Sequence, residues 1–215
     1  MSGSGAGARR LPMFPLGTVL FPGGVLPLHV FEPRYRRLMD DCLRGDRRFG
    51  VVLITRGSEV GGGDERVPVG TEANIEEATR LPDGRWVLIA SGGRRIAVEA
   101  WLEDDPYPLA VVLDAVEGDP PSPEALAAAA AAVRRANALA SELAAHAVTA
   151  EVPATDEGDP GALAWRLCDA APLGPLDRQR LLSIDDPSER LSLLDELVTE
   201  VAADLRRLLA EGGPG

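Results

Sequence analysis

The stretch FPGGVLPLHVFEPRYRR, residues 21–37, carries the strongest local structural signals in the chain. Pro22 and Pro27 stand among large apolar residues, which is typical of short edge strands because proline cannot donate to a strand ladder. The glycine pair 23–24 predicts a turn. The Glu-Pro pair 32–33 fits the cap and first position of a helix, where the missing proline N–H costs nothing. The stretch therefore predicts a bent strand that leads directly into a helix.

The sequence on either side extends this pattern into a β-rich first half. The helix is expected to end at Gly45, with a buried side set by helical spacing and made of Tyr35, Leu38, Met39 and Cys42. Strands are predicted from β-branched and apolar runs at residues 48–55, 69–81, 85–92, 94–103 and 109–117. Residues 82–84 read as a hairpin turn, and Gly92-Gly93 as a bulge or bend between two strands. These elements predict a closed or nearly closed β-barrel with one embedded helix.

The second half predicts helices. A proline-rich linker precedes an alanine-rich helix over residues 123–148, and Asp159-Pro160 opens a further helix. A short helix follows at 175–184. The last helix is capped by Asp186, and its buried stripe is predicted at Leu191, Leu194, Leu197 or Val198, Val201 and Leu205. The fold class is therefore predicted as α+β, with a disordered tail at 1–10, a barrel domain at 11–118 and a helical bundle at 119–210.

Composition excludes several kinds of chemistry. The chain has 215 residues, is 45% apolar and carries a formal net charge of −12. All 22 basic residues are arginine, so a P-loop, a Ser-Lys dyad and a Schiff-base lysine are all excluded. No signal peptide and no apolar run of about 18 residues is found, which predicts a soluble cytoplasmic protein without a membrane partner.

Catalytic and metal-binding patterns are missing from the sequence. His29, His146, Cys42 and Cys168 do not fall at metal-ligand spacings, and there is no GxSxG motif. No metal and no cofactor are expected. A hydrolase stays open as an alternative only if one histidine lies within hydrogen-bond reach of a serine or cysteine in a pocket.

A set of arginines raises a second alternative. Arg34, Arg37, Arg44 and Arg48 could line one surface, which Arg94 and Arg95 could extend. Such a surface would bind an anion or RNA. The competing interpretation is a solvated helix face flanked by Asp40, Asp41 and Asp46. The net negative charge disfavours nucleic acid as a partner, because non-specific binding of phosphates needs clustered cations.

Five segments resemble a known family. They are LPMFPLGTVLFPGGVLPLHVFEPRYRRLMDDCL, DRRFGVVLI, VGTEANI, LPDGRWVLIASGGRRIAV and LAWRLCDAAPLGPLDRQRLLSIDDPSERLSLLDELV. Together they resemble the amino-terminal domain of Lon-type ATP-dependent proteases, in a short stand-alone form, over residues 11–206. The resemblance implies a PUA-like β-barrel followed by a helical bundle, and a role in recognising unfolded or tagged protein substrates. It also implies a binding or adaptor role, because the 215 residues contain no ATPase module and no Ser-Lys dyad.

The leading hypothesis is a non-catalytic module that binds unfolded or extended polypeptide, with a protease or chaperone as a further partner. The alternative is a PUA-like RNA-binding protein. The candidate binding residues come from the opening stretch and the arginine surface, although most residues of that stretch are also expected to fill the core: Phe21, Pro22, Leu26, His29, Arg34, Tyr35, Arg94 and Arg95. Backbone pairing at a sheet edge would give affinity without sequence stringency. The sequence leaves the physiological partner and the oligomeric state open.

Overall fold

The computed structural model describes residues 7–56, 65–143, 151–154 and 158–211. The chain divides into two compact units, Met1–Val116 and Glu117–Gly215. The first unit holds the strands and one helix, and the second holds four further helices among the residues described. The predicted α+β class is confirmed by this element order. That each unit folds by itself stays a prediction.

The first unit is built on one mixed sheet. Its elements are β1 (Arg9–Leu16), β2 (Val25–Val30), α1 (Pro33–Arg44), β3 (Arg48–Arg56), β4 (Glu65–Arg80), β5 (Trp86–Trp101) and β6 (Leu109–Asp114). The order in the sheet is β2-β5-β4-β3-β1-β6, and β5 also pairs with β6. The β1–β3 pair is parallel, whereas the other pairs are antiparallel. The pairings therefore run in a ring through β1, β3, β4, β5 and β6, with β2 added on β5.

Strand β5 corrects the prediction of two strands separated by glycines. Residues 86–101 form one strand, whose first half pairs with β2 and whose second half pairs with β6. The expected irregularity is present, because the register with β4 shifts opposite Gly92–Arg95. Gly92 lies so close to Phe21 that an added Cβ would be 2.0 Å from the Phe21 carbonyl oxygen. The glycine thus lets the strand change partners without ending.

The predicted disordered tail is wrong at its last two residues. Arg9 and Arg10 begin β1 and pair with Val112 and Val111 of β6. The Arg9 side chain is held by Glu72 at 2.8 Å and by Asp114 at 2.6 Å. These long-range ion pairs are not visible in the local sequence, which is why the strand start was placed too late.

Local signals predicted the turns and α1 correctly. Gly23 has φ of 75°, as expected for a turn glycine, and Gly84 has φ of 83° in the hairpin turn between β4 and β5. Helix α1 has Pro33 in its first turn, and its buried residues are the four predicted from helical spacing. The Tyr35 ring stacks on Phe14 of β1 with ring centroids 4.1 Å apart. Helix α1 thereby belongs to the core of the first unit.

The second unit contains α2 (Pro123–Leu143), α3 (Pro160–Ala170), α4 (Pro175–Leu182) and α5 (Pro187–Ala210). The Asp159 and Asp186 carboxylates accept backbone N–H groups at the starts of α3 and α5, as predicted. The stripe on α5 is buried from Leu191 to Val198, but Val201 and Leu205 are only half-buried. The predicted end of α2, at residue 148, lies outside the described residues. No helix in the described part of the chain is long and apolar enough to cross a membrane.

Candidate functional site

Strands β2 and β5 expose apolar side chains on their outer surface. Along β2, Leu26 and Val30 are buried, whereas Val25, Pro27 and His29 are exposed. Strand β5 alternates in the same way around its buried Leu88 and Ala90. This follows from strand geometry, because successive side chains point to opposite faces of a sheet. The paired segments 25–30 and 86–90 therefore carry apolar side chains on both the inner and the outer face, with His29 as the one polar exception.

The register places these outer side chains next to one another. Pro27 lies opposite Ile89, and His29 lies opposite Val87. Opposed side chains on one face of an antiparallel pair are in contact range. We call this surface the apolar face, and its residues are Val25, Pro27, His29, Val87, Ile89 and the adjoining Phe31. Exposed fractions are 67% for Val25, 55% for Phe31, 44% for Val87 and 42% for Ile89.

The concentration of apolar surface here is unusual for this protein. Seven large hydrophobic residues are exposed in the described parts of the chain, and four of them lie on the apolar face. Exposed Glu77 and Thr79 of β4 lie opposite Ile89 and Val87 and give the face a polar border. The Ser91 hydroxyl donates to the Glu76 carboxylate at the same border. An apolar centre with a polar rim is the usual anatomy of a protein-binding surface.

Strand β2 also has a free edge, since β5 is its one partner among the described strands. The Gly92 N–H donates to the Gly24 carbonyl at 2.8 Å, which fixes the direction of the backbone groups. Because these groups alternate along a strand, Val25, Pro27 and His29 direct theirs away from β5. Pro27 has no N–H to offer, and such a proline protects an edge against uncontrolled strand pairing.

Only part of the predicted site is on the surface. Four candidates, Phe21, Leu26, Tyr35 and Arg95, are buried, and Tyr35 lies on the side of α1 that helical spacing predicts to be buried. Phe21, Leu26 and Tyr35 are buried because their apolar side chains fill the core, whereas Arg95 is a buried charged residue that donates to the Val116 carbonyl. His29 and Arg94 are exposed, and Pro22 and Arg34 are half-buried. Of the eight candidates, His29 is the one that lies on the apolar face.

The sequence did not identify five residues of the apolar face, which are Val25, Pro27, Phe31, Val87 and Ile89. A strand with apolar residues at every position gives no alternation from which to read the solvent side. The one available signal was the pair of long apolar runs itself, because a sheet with a solvated face normally alternates polar and apolar residues.

The arginine surface is paired with carboxylates. On α1, Arg34 contacts Glu32 at 3.2 Å, and Arg37 and Arg44 both contact Asp41 at 3.0 and 3.1 Å. Elsewhere in the first unit, the remaining three arginines are also engaged. Arg94 pairs with Asp114, Arg48 lies 3.6 Å from Glu72, and the buried Arg95 donates to the Val116 carbonyl. These contacts argue against a continuous cationic patch and hence against the RNA alternative.

Both cysteines are buried thiols that are poorly suited to nucleophilic catalysis. The Cys42 thiol donates to the Arg48 carbonyl at 3.1 Å, and burial raises its pKa to about 12. Burial also raises the pKa of Cys168 to about 12. A thiol in this state is a poor nucleophile, because the thiolate is the reactive form. His146 lies outside the described residues, within which no group of three His, Cys, Asp or Glu side chains could hold a metal.

The chain is similar to proteins of one family. The family model described as ATP-dependent protease La (LON) substrate-binding domain matches residues 10–200. The chain is 31% identical over 201 residues to Lon protease 2 of Herpetosiphon aurantiacus, covering 92% of the chain and 24% of that protein. It is 38% identical over 99 residues to Lon protease of Cytophaga hutchinsonii, covering 45% of the chain and 12% of that protein. The chain thus spans a quarter or less of these relatives.

Two solved structures share the fold. A Lon N-terminal domain protein from Xanthomonas campestris superposes with a TM-score of 0.64 and is 32% identical, covering 86% of this chain and 96% of that one. The N-terminal domain of Lon protease from Mycobacterium avium complex gives a TM-score of 0.61 at 20% identity, covering 89% of this chain and 99% of that one. At 20% identity, the comparison with the Mycobacterium avium complex structure supports a similar fold and nothing further.

Proposed function

This chain belongs to the LON substrate-binding domain family, and we propose that it is a non-catalytic recognition module that binds unfolded or extended polypeptide on the apolar face. The observation that carries the proposal is the cluster of exposed apolar side chains on β2 and β5. Unfolded chains expose the apolar side chains that folded proteins bury, so an apolar surface discriminates between the two states without reading a sequence.

The geometry of the face suits an extended partner. Val25, Val87 and Ile89 are stiff or branched side chains fixed on paired strands, so little side-chain entropy is lost when they are covered. Each buried methylene contributes about 0.8 kcal/mol, so a few apolar contacts give moderate, reversible affinity. Reversibility is what a recognition module needs if it passes its substrate to another protein. A role as adaptor beside a protease or chaperone, in the cytoplasm, is part of the proposal.

The test is the affinity of the purified protein for a reduced and alkylated, fluorescein-labelled model protein, followed by fluorescence anisotropy. We expect binding in the micromolar range. The triple variant Val25→Ser, Val87→Ser, Ile89→Ser should bind about tenfold more weakly or worse, because three apolar contacts are removed. Circular dichroism and thermal melting establish that the variant is folded.

A matched control uses exposed leucines away from the face. Leu176 and Leu208 lie on the helices of the second unit and are exposed. The double variant Leu176→Ser, Leu208→Ser should bind the unfolded protein with unchanged affinity. Equal losses of affinity in the two variants would overturn the proposal. So would the absence of binding by the unchanged protein at about 100 μM, which is about tenfold above the expected dissociation constant.

A further inference from the structure

A small cleft lies beside the free edge of β2. Its volume is about 100 Å³, and it is lined by Phe14, Leu16, Leu28, His29, Val30, Phe31, Glu32 and Tyr35. Phe14 and Leu16 come from β1 and Tyr35 comes from α1, and all three belong to the core cluster of the first unit. The cleft shares His29 and Phe31 with the apolar face, whereas the other four residues of that face do not line it.

The size of the cleft selects its occupant. Pockets for small-molecule ligands usually measure about 300–1,000 Å³, so this cleft is too small for a metabolite-sized ligand. A volume of about 100 Å³ suits a single amino-acid side chain rather than a whole small molecule. Six of its eight lining residues present aliphatic or aromatic surface. The charge of Glu32 is engaged by Arg34 at 3.2 Å, so a polar occupant would be poorly compensated.

The cleft and the free edge lie along the same part of β2. His29 directs its backbone groups away from β5, and the cleft is lined by the consecutive residues 28–32. A polypeptide paired with this edge would run past the cleft mouth. Because side chains alternate along a strand, every second side chain of that polypeptide would face the same side.

We infer that an extended polypeptide pairs with the free edge of β2 and inserts one aliphatic side chain, of the size of leucine or valine, into this cleft. The inference rests on the proposed function and adds a preference to it. The apolar face gives unselective contact, and the cleft selects an aliphatic anchor. Because Pro27 has no N–H, the edge offers two N–H donors, those of Val25 and His29, which lie about 13 Å apart along the strand. The missing donor weakens the pairing and keeps the complex reversible.

The first experiment needs no variant of the protein. The ¹⁵N-labelled full chain is titrated with acetylated nine-residue peptides of serine and threonine that carry leucine, alanine or aspartate at the centre. We expect the leucine peptide to shift the amide signals of Leu28, His29 and Phe31, and to bind about tenfold more tightly than the alanine peptide because more apolar surface is buried. The aspartate peptide should bind no better than the alanine peptide.

Backbone pairing is tested with the same leucine peptide methylated on alternate amide nitrogens. An edge uses every second N–H of an added strand, so one methylated set should abolish the signal shifts and the other should leave them. Three results would each overturn the inference. The first is equal affinity for the leucine and alanine peptides, and the second is the absence of amide signal shifts at millimolar leucine peptide. The third is an equal effect of the two methylated sets on binding.

Two variants separate this inference from the proposed function. Leu28→Phe places a larger side chain at the cleft and should remove the difference between leucine and alanine peptides. Val87→Ser changes the apolar face alone and should keep that difference while weakening binding of the unfolded protein. If the unfolded protein binds and the peptides do not differ, the cleft inference fails by itself. If the unfolded protein does not bind, the proposed function fails. Should Leu28→Phe not fold, the peptide series on the unchanged protein decides.

Discussion

At the scale of single residues, Arg190 is the most unusual side chain of the second unit. It is completely buried, and its guanidinium lies 3.5 Å from the centre of the Trp165 ring. One guanidinium nitrogen donates to the Ile184 carbonyl at 2.7 Å and lies 2.7 Å from the Glu117 carboxylate. Arginine is suited to this position because its planar group stacks and donates several hydrogen bonds at once. The residue therefore ties α5 to α3 and to the segment before α2.

Replacing Arg190 should lower the stability of the second unit by an amount that depends on the volume of the new side chain. Arg190→Ala should lower the free energy of unfolding by about 3–4 kcal/mol, because it leaves a cavity and removes the hydrogen bonds. Arg190→Met restores much of the volume, so about half of that loss should remain. Urea denaturation measures both. Arg207→Ala on the same helix, where the side chain is exposed, should cost less than about 0.5 kcal/mol. A loss for Arg190→Ala as small as for Arg207→Ala would contradict the assignment.

Gly92 allows the chain to pack closely where β5 changes partners. A Cβ there would lie 2.0 Å from the Phe21 carbonyl oxygen, which is backbone and cannot rotate away. Gly92→Ala should therefore cost about 2–3 kcal/mol of stability, as overpacking does. The control is Gly45→Ala, whose Cβ would meet its nearest atom at an ordinary 3.5 Å. Thermal melting compares the stabilities of the two variants. Equal stabilities would contradict the prediction, because they would show that the backbone around Gly92 can move to accommodate a Cβ.

At the scale of elements, a charged cluster joins the strands at one end of the sheet. Asp114 of β6 accepts from Arg9 of β1 and from Arg94 of β5, both at 2.6 Å. Arg9 also donates to Glu72 of β4 at 2.8 Å. Partial burial of Asp114 acts to raise its pKa, but hydrogen bonds from Arg94 and Arg9 outweigh it and the pKa is lowered. Four side chains, one from each of four strands, thus connect parts of the sheet that are far apart in the sequence.

The lowered pKa of Asp114 has a predictable consequence for acid stability. A carboxylate whose pKa is lower in the folded state stabilises the fold above its unfolded pKa of about 3.9, and this contribution is lost as the pH falls through the folded value. Asp114→Asn should therefore cost about 1 kcal/mol at pH 7. The difference from the unchanged protein should shrink below pH 4. Urea denaturation at pH 7, 5 and 3 measures it, and a difference that is constant with pH would contradict the prediction.

At the scale of the whole molecule, the two units differ in charge. The unit before residue 117 has fourteen arginines and sixteen acidic residues, whereas the unit after it has eight arginines and eighteen acidic residues. The excess negative charge therefore belongs to the helical unit. The apolar face and the small cleft both lie in the other unit, close to charge balance. A nearly neutral environment suits contacts with polypeptides of mixed composition, because long-range repulsion is weak.

The separation of the site from the helical unit can be tested with fragments. A fragment of residues 1–116 should fold, give a cooperative thermal transition and bind the unfolded model protein within about twofold of the full chain, since the proposed contacts lie inside it. Circular dichroism and fluorescence anisotropy measure folding and binding. The complementary fragment of residues 117–215 serves as the control and should not bind. A folded first fragment that has lost binding would place part of the site in the helices.

The sequence by itself determined where most helices begin and where the tight turns fall. Pro33, Pro160 and Pro187 each stand in the first turn of a helix where the sequence placed it, and the turns at Gly23 and Gly84 were also predicted. These signals work because they depend on the backbone limits of proline and glycine, which act within a few residues. The family resemblance was determined by the same local motifs.

Only the tertiary structure decided which side chains face solvent. Strands β2 and β5 are apolar on both faces, so the exposure of Val25 and Ile89 depends on pairing between segments more than sixty residues apart. Arg94 and Arg95 are adjacent residues of the same type, yet Arg94 is exposed and Arg95 is buried, because successive side chains of β5 point to opposite faces of the sheet. Long-range pairing assigns each residue to a face, and a one-residue change of register would reverse it.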